Sequence, residues 1–121
     1  MFIKKDLTQK EKRHRRIRKK IIGTDDKPRL SIYRSLNHLY AQLINDITGK
    51  TILFLSTNSK EFKKVAPSYG NIKAAEALGE RFANLAISKG VKEVVFDKGG
   101  YPYHGRIKAF AESARKTGLQ F

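Results

Sequence analysis

The chain has 121 residues, with 26 Lys+Arg against 11 Asp+Glu and a formal net charge of +15. That length supports one domain with a real core. That charge is a standing self-repulsion, which a polyanionic partner explains, nucleic acid first and an anionic membrane surface second. Cysteine is absent, which excludes disulfide frameworks and thiolate metal sites, and no apolar run approaches the roughly 20 residues of a membrane span.

Residues 1–22 read as a basic arm. Residues 1–20 hold ten Lys/Arg against Asp6 and Glu11, so +8 of the +15 sits in about a sixth of the chain. Apolar residues there are too few for a packing face, so the arm is expected to be disordered when free. Its EKRHRRIRKK run has good helix formers and could become helical as phosphates neutralise it. The arm has no hydrophobic signal segment, and its acids do not suit a transit peptide, so a cytoplasmic protein is expected.

Residues 23–121 read as a single body that begins at the turn-rich GTDDKP. Arg29 to Arg34 alternates, with Leu30 and Ile32 on one face and Arg29, Ser31 and Tyr33 on the other. Ser35 to His38 turns the chain, and Leu39 to Asn45 alternates again, with Tyr40 and Gln42 outward. After the turn at Asp46 to Gly49, Thr51 to Ser56 completes an antiparallel meander. Thr57 to Gly70 is polar and irregular, and Asn71 is placed to cap the next helix. Ile72, Ala75, Leu78, Phe82, Leu85 and Ala86 recur at three- and four-residue steps as one apolar stripe, closed by Gly90. A fourth strand is expected over Val91 to Asp97, parallel to a meander strand because a helix separates them. Gly99-Gly100 permits positive φ or a close backbone approach. A last helix runs from about His104 to Thr117, with Ile107, Phe110, Ala111 and Ala114 inward, and Leu119 and Phe121 fold back onto the core.

The order β-β-β-α-β-α, with helices covering one face of a mixed four-stranded sheet, makes a two-layer α/β sandwich. The other face is expected to be partly open and to show Arg29, Tyr33, Tyr40 and Gln42.

Catalytic signals are sparse. His14, His38 and His104 lie in an arm, a turn and a helix start, with no HExxH or paired-ligand spacing, and the GxxxxGK[ST] phosphate-loop frame is absent. Most carboxylates of the body sit at turns or on helix surfaces; Asp97 alone stands near a strand end, where it anchors the glycine turn or pairs with Lys98 or Arg106. No cofactor or metal is expected. Cations supply sequence-independent affinity for phosphates, and Tyr33, Tyr40, Tyr101 and Tyr103 supply faces for unpaired bases, a combination that suits irregular RNA. The alternatives are a small hydrolase or nuclease using Asp97 and His104, and a nonspecific basic coat on DNA or membrane.

Three stretches carry a resemblance: HRRIRKKIIGTDDKPRLSIYRSLNHLYAQ, NIKAAEALGERFANLA and VVFDKGGYPYHGRIKAFAESARKTGLQF. Together they closely resemble the family of bacterial large-subunit ribosomal proteins numbered eighteen, the 5S rRNA binders. The resemblance implies a two-layer α/β body with an arm that orders on RNA. It implies a place in the central protuberance, where the protein attaches 5S rRNA to the large-subunit rRNA beside neighbouring 5S-binding proteins. It implies no catalysis and no membrane; a monomer is expected when free. Carried over by motif, the RNA-facing residues are Lys12, Arg13, Arg15, Arg16, Arg18, Lys19 and Lys20 of the arm. Arg29, Arg34, Ser35 and His38 follow around the first hairpin, and Tyr101, Tyr103, His104 and Arg106 near the glycine turn. The chain departs from the pattern at Leu36-Asn37, where the family's turn usually reads Asn-Lys, at Lys98, where arginine is usual, and at Pro102, in place of a leucine-like residue.

Overall fold

The computed structural model describes residues 8–18, 21–36, 38–59 and 72–121. Lys19, Lys20, Asn37, the cap expected at Asn71 and most of the irregular 57–70 stretch lie outside the described residues. The elements are α1 (Gln9–Arg18), β1 (Arg29–Arg34), β2 (Leu39–Asn45), β3 (Lys50–Ser56), α2 (Ile72–Ser88), β4 (Val95–Asp97) and α3 (Gly105–Thr117).

The sheet order is β3-β2-β1-β4, with the meander antiparallel and β4 parallel to β1. Period-2 alternation sends Leu30, Ile32, Leu39, Ala41, Leu43 and Leu53 to one face, where all are buried. The helical stripes meet them there: Leu78 and Phe82 of α2 and Ile107 and Phe110 of α3 are fully buried, and the Phe82 and Phe110 rings meet edge-on at 5.8 Å. Each such side chain stabilises the fold by roughly 1.5–3 kcal/mol through burial. Leu119 is buried too, and Phe121 packs on Phe96 at 5.2 Å, so the C-terminus closes the core as expected.

The fourth strand is shorter than its apolar run. Val91 and Val94 are buried, but the ladder to β1 starts only at Val95. The Val95 N–H donates to the Pro28 carbonyl at 2.9 Å, and Pro28, having no N–H, cannot extend the pairing. The preceding residues turn to the C-terminus instead: the Val94 N–H donates to Gln120 O at 3.0 Å and the Gln120 N–H to Lys92 O at 2.9 Å.

The second sheet face is not wholly open. Arg29, Ser31 and Asp97 point to that side, and α1 lies over them.

Candidate nucleic-acid interface

Helix α1 begins on Thr8, whose hydroxyl accepts the Glu11 N–H at 3.1 Å, as a capping threonine does. Its residues then divide by helical period. Lys10, Arg13, His14 and Arg18 face the body. The Arg13 Nε donates to Gly100 O at 3.2 Å, the Lys10 Nζ to the Tyr101 hydroxyl at 3.3 Å, and the Arg18 guanidinium to Ile21 O at 2.6 Å. Lys12, Arg15 and Arg16 are exposed on the other side. The close approach rests on Gly100: at φ +79° any other side chain is strained, and a Cβ there would run into the Lys10 carbonyl.

Beneath α1 lies a charged network. Asp97 is fully buried; its Oδ2 lies 2.8 Å from Arg29 Nη1 and 3.0 Å from His14 Nε2, and its Oδ1 accepts the Gly99 N–H at 3.0 Å. Thus Asp97 anchors the glycine turn as expected, but its side-chain partners are Arg29 and His14, not Lys98 or Arg106. The Arg29 guanidinium forks onto Asp46, with Nε at 3.0 Å and Nη2 at 3.2 Å from its two oxygens. Burial alone would lower the Arg29 pKa; the hydrogen bonds to Asp46 and Asp97 outweigh it and hold the group above its ordinary value. The same bond from Arg29, against the opposing effect of burial, holds Asp46 below the usual carboxylate value, helped by the Gly23 N–H at 2.7 Å. Arg29 is only 9% exposed. The expectation that it shows on the open face is therefore corrected: two carboxylates and α1 enclose it.

The end of the first hairpin is fixed by its own turn. The Ser35 N–H donates to His38 O at 2.9 Å and the His38 N–H to Ser35 Oγ at 3.0 Å; His38 Nδ1 lies 3.1 Å from Thr57 Oγ1. The Tyr101 hydroxyl donates to Arg34 O at 3.2 Å and accepts the Arg34 N–H at 3.3 Å. The ring is 5% exposed, with Lys10 at 4.5 Å and Arg34 at 4.8 Å from its centroid. Tyr101 is a rivet between helix, glycine turn and hairpin, and its ring is not free to receive a base. Tyr103 is half-buried, edge-on to Phe96, and its hydroxyl accepts from Arg115 at 3.2 Å. His104 is exposed at the start of α3, and its side chain does not cap the helix.

Arg106 reaches from α3 to Ser35 O, donating at 3.0 Å from Nη2, while its Nη1 is buried without a partner. Burial first, and the like charge of Arg34 second, push its pKa below the ordinary arginine value. Among the described residues no carboxylate forms an ion pair with Arg34 or Arg106. Two guanidiniums left to repel each other are an electrostatic vacancy that an anion relieves.

These groups form one strip. The outer face of α1 leads to an open cleft of about 420 Å³ lined by Arg13, Arg16, Lys98, Gly100, Tyr101 and Pro102, and Tyr101 connects the cleft to Arg34 and Arg106. The larger groove, about 810 Å³ along the outer side of α2 and α3, holds Glu76, Glu80 and Glu112 beside Lys73 and Lys116, and so is unsuited to a polyanion. Among the described residues, no helix is long and apolar enough to cross a membrane and no group of three His, Asp or Glu residues could hold a metal ion.

Of the residues expected at the interface, Lys12, Arg13, Arg15, Arg16, Arg34 and Arg106 fall along the strip, and Ser35 and His38 form the turn beside it. Arg18 turns back to the body, where its Nη2 lies 3.6 Å from Asp46. Sequence reasoning missed Lys10, His14 and Asp46. The first two carry a readable signal, since Lys10, His14 and Arg18 recur every four residues; Asp46 carries none, because its partner Arg29 is 17 positions away.

A family model for ribosomal L18 of archaea, bacteria, mitochondria and chloroplasts matches residues 4–121. Among known proteins, the large ribosomal subunit protein uL18 of Heliobacterium modesticaldum is 54% identical over 112 residues, covering 93% of this chain and 92% of that protein. The uL18 of Desulforamulus reducens is 56% identical over 110 residues, covering 91% and 90%. The uL18 of Clostridium botulinum strain Loch Maree is 52% identical over 122 residues, covering the whole of both chains. With the basic strip, the sheet topology and matches of this length in agreement, the chain belongs to the ribosomal L18 family.

Proposed function

We infer that the chain is a structural protein of the large ribosomal subunit that binds 5S rRNA and helps attach it to the large-subunit rRNA in the central protuberance. The observation that carries this reading is the carboxylate-poor strip from Lys12, Arg15 and Arg16 through the Lys98 cleft to Arg34 and Arg106, whose lining is distinct from that of the acidic helix groove. Lys19, Lys20 and His104 are further RNA-contacting residues in this reading, while Arg29, Ser35, Tyr101 and Tyr103 act by holding the contacting groups in place. Residues 1–22 form an arm separate from the 23–121 body; in the free monomer α1 exchanges between its seat and a disordered state, and it is consolidated on its seat when phosphates neutralise it. Neighbouring 5S-binding proteins and the large-subunit rRNA complete its surroundings, in the ribosome and in the cytoplasm.

The chain is not an enzyme: L18 is a family of ribosomal structural proteins. The residues once eligible for a nuclease agree, because Asp97 is enclosed by Arg29, His14 and the Gly99 N–H while His104 stands exposed.

The test is binding to 5S rRNA across a salt series with tRNA as competitor. Affinity is expected to fall steeply and linearly on a log–log salt plot, and tRNA is expected to compete poorly. Equal affinity for tRNA and 5S rRNA would sink the specificity; no salt dependence would sink the strip.

A further inference from the structure

Three rings cross the sheet on the side away from the core and take no part in the strip. Tyr33 of β1 pairs with Tyr40 of β2, and Phe54 of β3 pairs with Gln42, so all three point to the same face. Their centroids are 5.7 Å apart for Tyr33–Tyr40 and 6.4 Å for Tyr40–Phe54, with ring planes tilted by 49° and 32°. Neither pair stacks face to face. Tyr33 is 57% and Phe54 54% exposed, with Tyr40 half-buried between them. Cross-strand aromatic pairing accounts for part of this row, but pairing alone leaves no reason for two large apolar rings to stand more than half in water.

We propose that the Tyr33–Tyr40–Phe54 row is a stacking platform for unpaired bases of the same 5S rRNA that the basic strip binds; this rests on the proposed function and adds a second subsite to it. The occupant follows from what surrounds the rings. The rings share their side of the sheet with Arg29 and Ser31, over which α1 lies, and the His38 ring stands edge-on to Tyr40 at 6.5 Å, so the platform adjoins the strip. None of the sheet residues sharing this side of β1, β2 and β3 is a carboxylate, which would repel a nucleotide. The exposed aliphatics that would mark a protein-docking surface, Leu36 and Ile47, lie on the two turns instead of among the rings. Every base has a π-face, so the row gives affinity without reading sequence, while the strip holds the backbone beside it.

The experiment is a double variant of the full chain, Tyr33→Leu with Phe54→Leu, which keeps apolar contact on the sheet and removes both exposed rings. Melting temperature is compared with the parent. A control carrying Tyr33→Phe alone keeps all three rings and is expected to bind like the parent. The double variant is expected to bind 5S rRNA about tenfold or more weakly, within the range for loss of base stacking. Its log–log salt slope is expected to be unchanged, because no cation was removed. Photocrosslinking of the parent to 4-thiouridine-substituted 5S rRNA is expected to label the segments carrying Tyr33, Tyr40 or Phe54. Parental affinity in the double variant, or crosslinks confined to the strip, would overturn the platform and leave the RNA reading standing. No binding of 5S rRNA by the parent would overturn both. A double variant that binds 5S rRNA normally yet fails to enter large subunits would assign the face to a protein and likewise overturn the inference.

Discussion

On one side of the sheet, α2 and α3 meet β1 and β2 through side chains that exclude water: Leu78, Phe82, Ile107 and Phe110 against Leu30, Ile32, Leu39 and Leu43. On the other side, α1 meets β4 and the glycine turn through a buried carboxylate, one backbone carbonyl and a tyrosine hydroxyl. The first arrangement owes its free energy to apolar burial, which salt does little to weaken and no partner is needed to complete. The second owes its free energy to partly exposed charge, worth little in water and screened further by salt. The lesson is that the most cationic helix is also the one most loosely attached. On that balance the body is expected to hold without α1, which is left able to settle or shift on its seat.

The largest expected effect sharpens the apolar side. Phe82→Ala removes a fully buried ring that touches Phe110, and should lower stability by about 3–5 kcal/mol in urea unfolding. A loss under 1 kcal/mol would mean that the helix layer is not the principal core. Next comes the network under α1. Asp97→Asn keeps an acceptor for the Gly99 N–H but removes the charge facing Arg29 and His14, while Arg29 keeps its fork on Asp46. A loss of roughly 1–3 kcal/mol is expected. An unchanged melting temperature would show that the buried pair is energetically idle.

A smaller effect is expected from acid. The folded-state pKa of Asp46 lies below its ordinary 3.8, through the Arg29 hydrogen bond above all. Its contribution to stability is therefore complete above the unfolded value and is lost as pH falls through the depressed folded value. Thermal melts between pH 6 and pH 2.5 (a span of about 3.5 units around the carboxylate range) should show a fall below roughly pH 4, shallower in Asp46→Asn. Equal slopes in parent and variant would remove Asp46 from the network.

Much of this architecture was legible beforehand because it is written in hydropathy. Leu30/Ile32 and Leu39/Ala41/Leu43 alternate, Leu78/Phe82 and Ile107/Phe110 recur at helical steps, and each pattern named the face that is buried. What escaped was polar or distant. The apolar run at Val91 to Val94 hid that Pro28 would end the ladder. Arg29 read as a surface cation because Asp46 and Asp97 reach it from 17 and 68 residues away. The inner face of α1 has a helical period of its own, but its members are Lys, Arg and His, which a search for apolar stripes passes over. The basic strip was legible residue by residue, and its separation from the acidic groove only in three dimensions.

The finest test of the comparison uses two glycines with the same backbone and different surroundings. Gly49 has φ +70° and Gly100 φ +79°; a Cβ on Gly49 meets open space, whereas one on Gly100 meets the Lys10 carbonyl and His14. Gly49→Ala therefore reports the conformational penalty alone, about 1 kcal/mol. Gly100→Ala carries the same penalty plus the collision with α1, which the helix escapes by leaving its seat. The excess cannot be larger than the docking of α1 is worth, so it should stay within about 1 kcal/mol. Hydrogen exchange should show the amides of α1 losing protection in Gly100→Ala and keeping it in Gly49→Ala, with α2 and α3 alike in both. If Gly100→Ala instead costs several kcal/mol more than Gly49→Ala, the N-terminal helix is part of the core's cooperative unit, and the contrast between the two faces of the sheet does not hold.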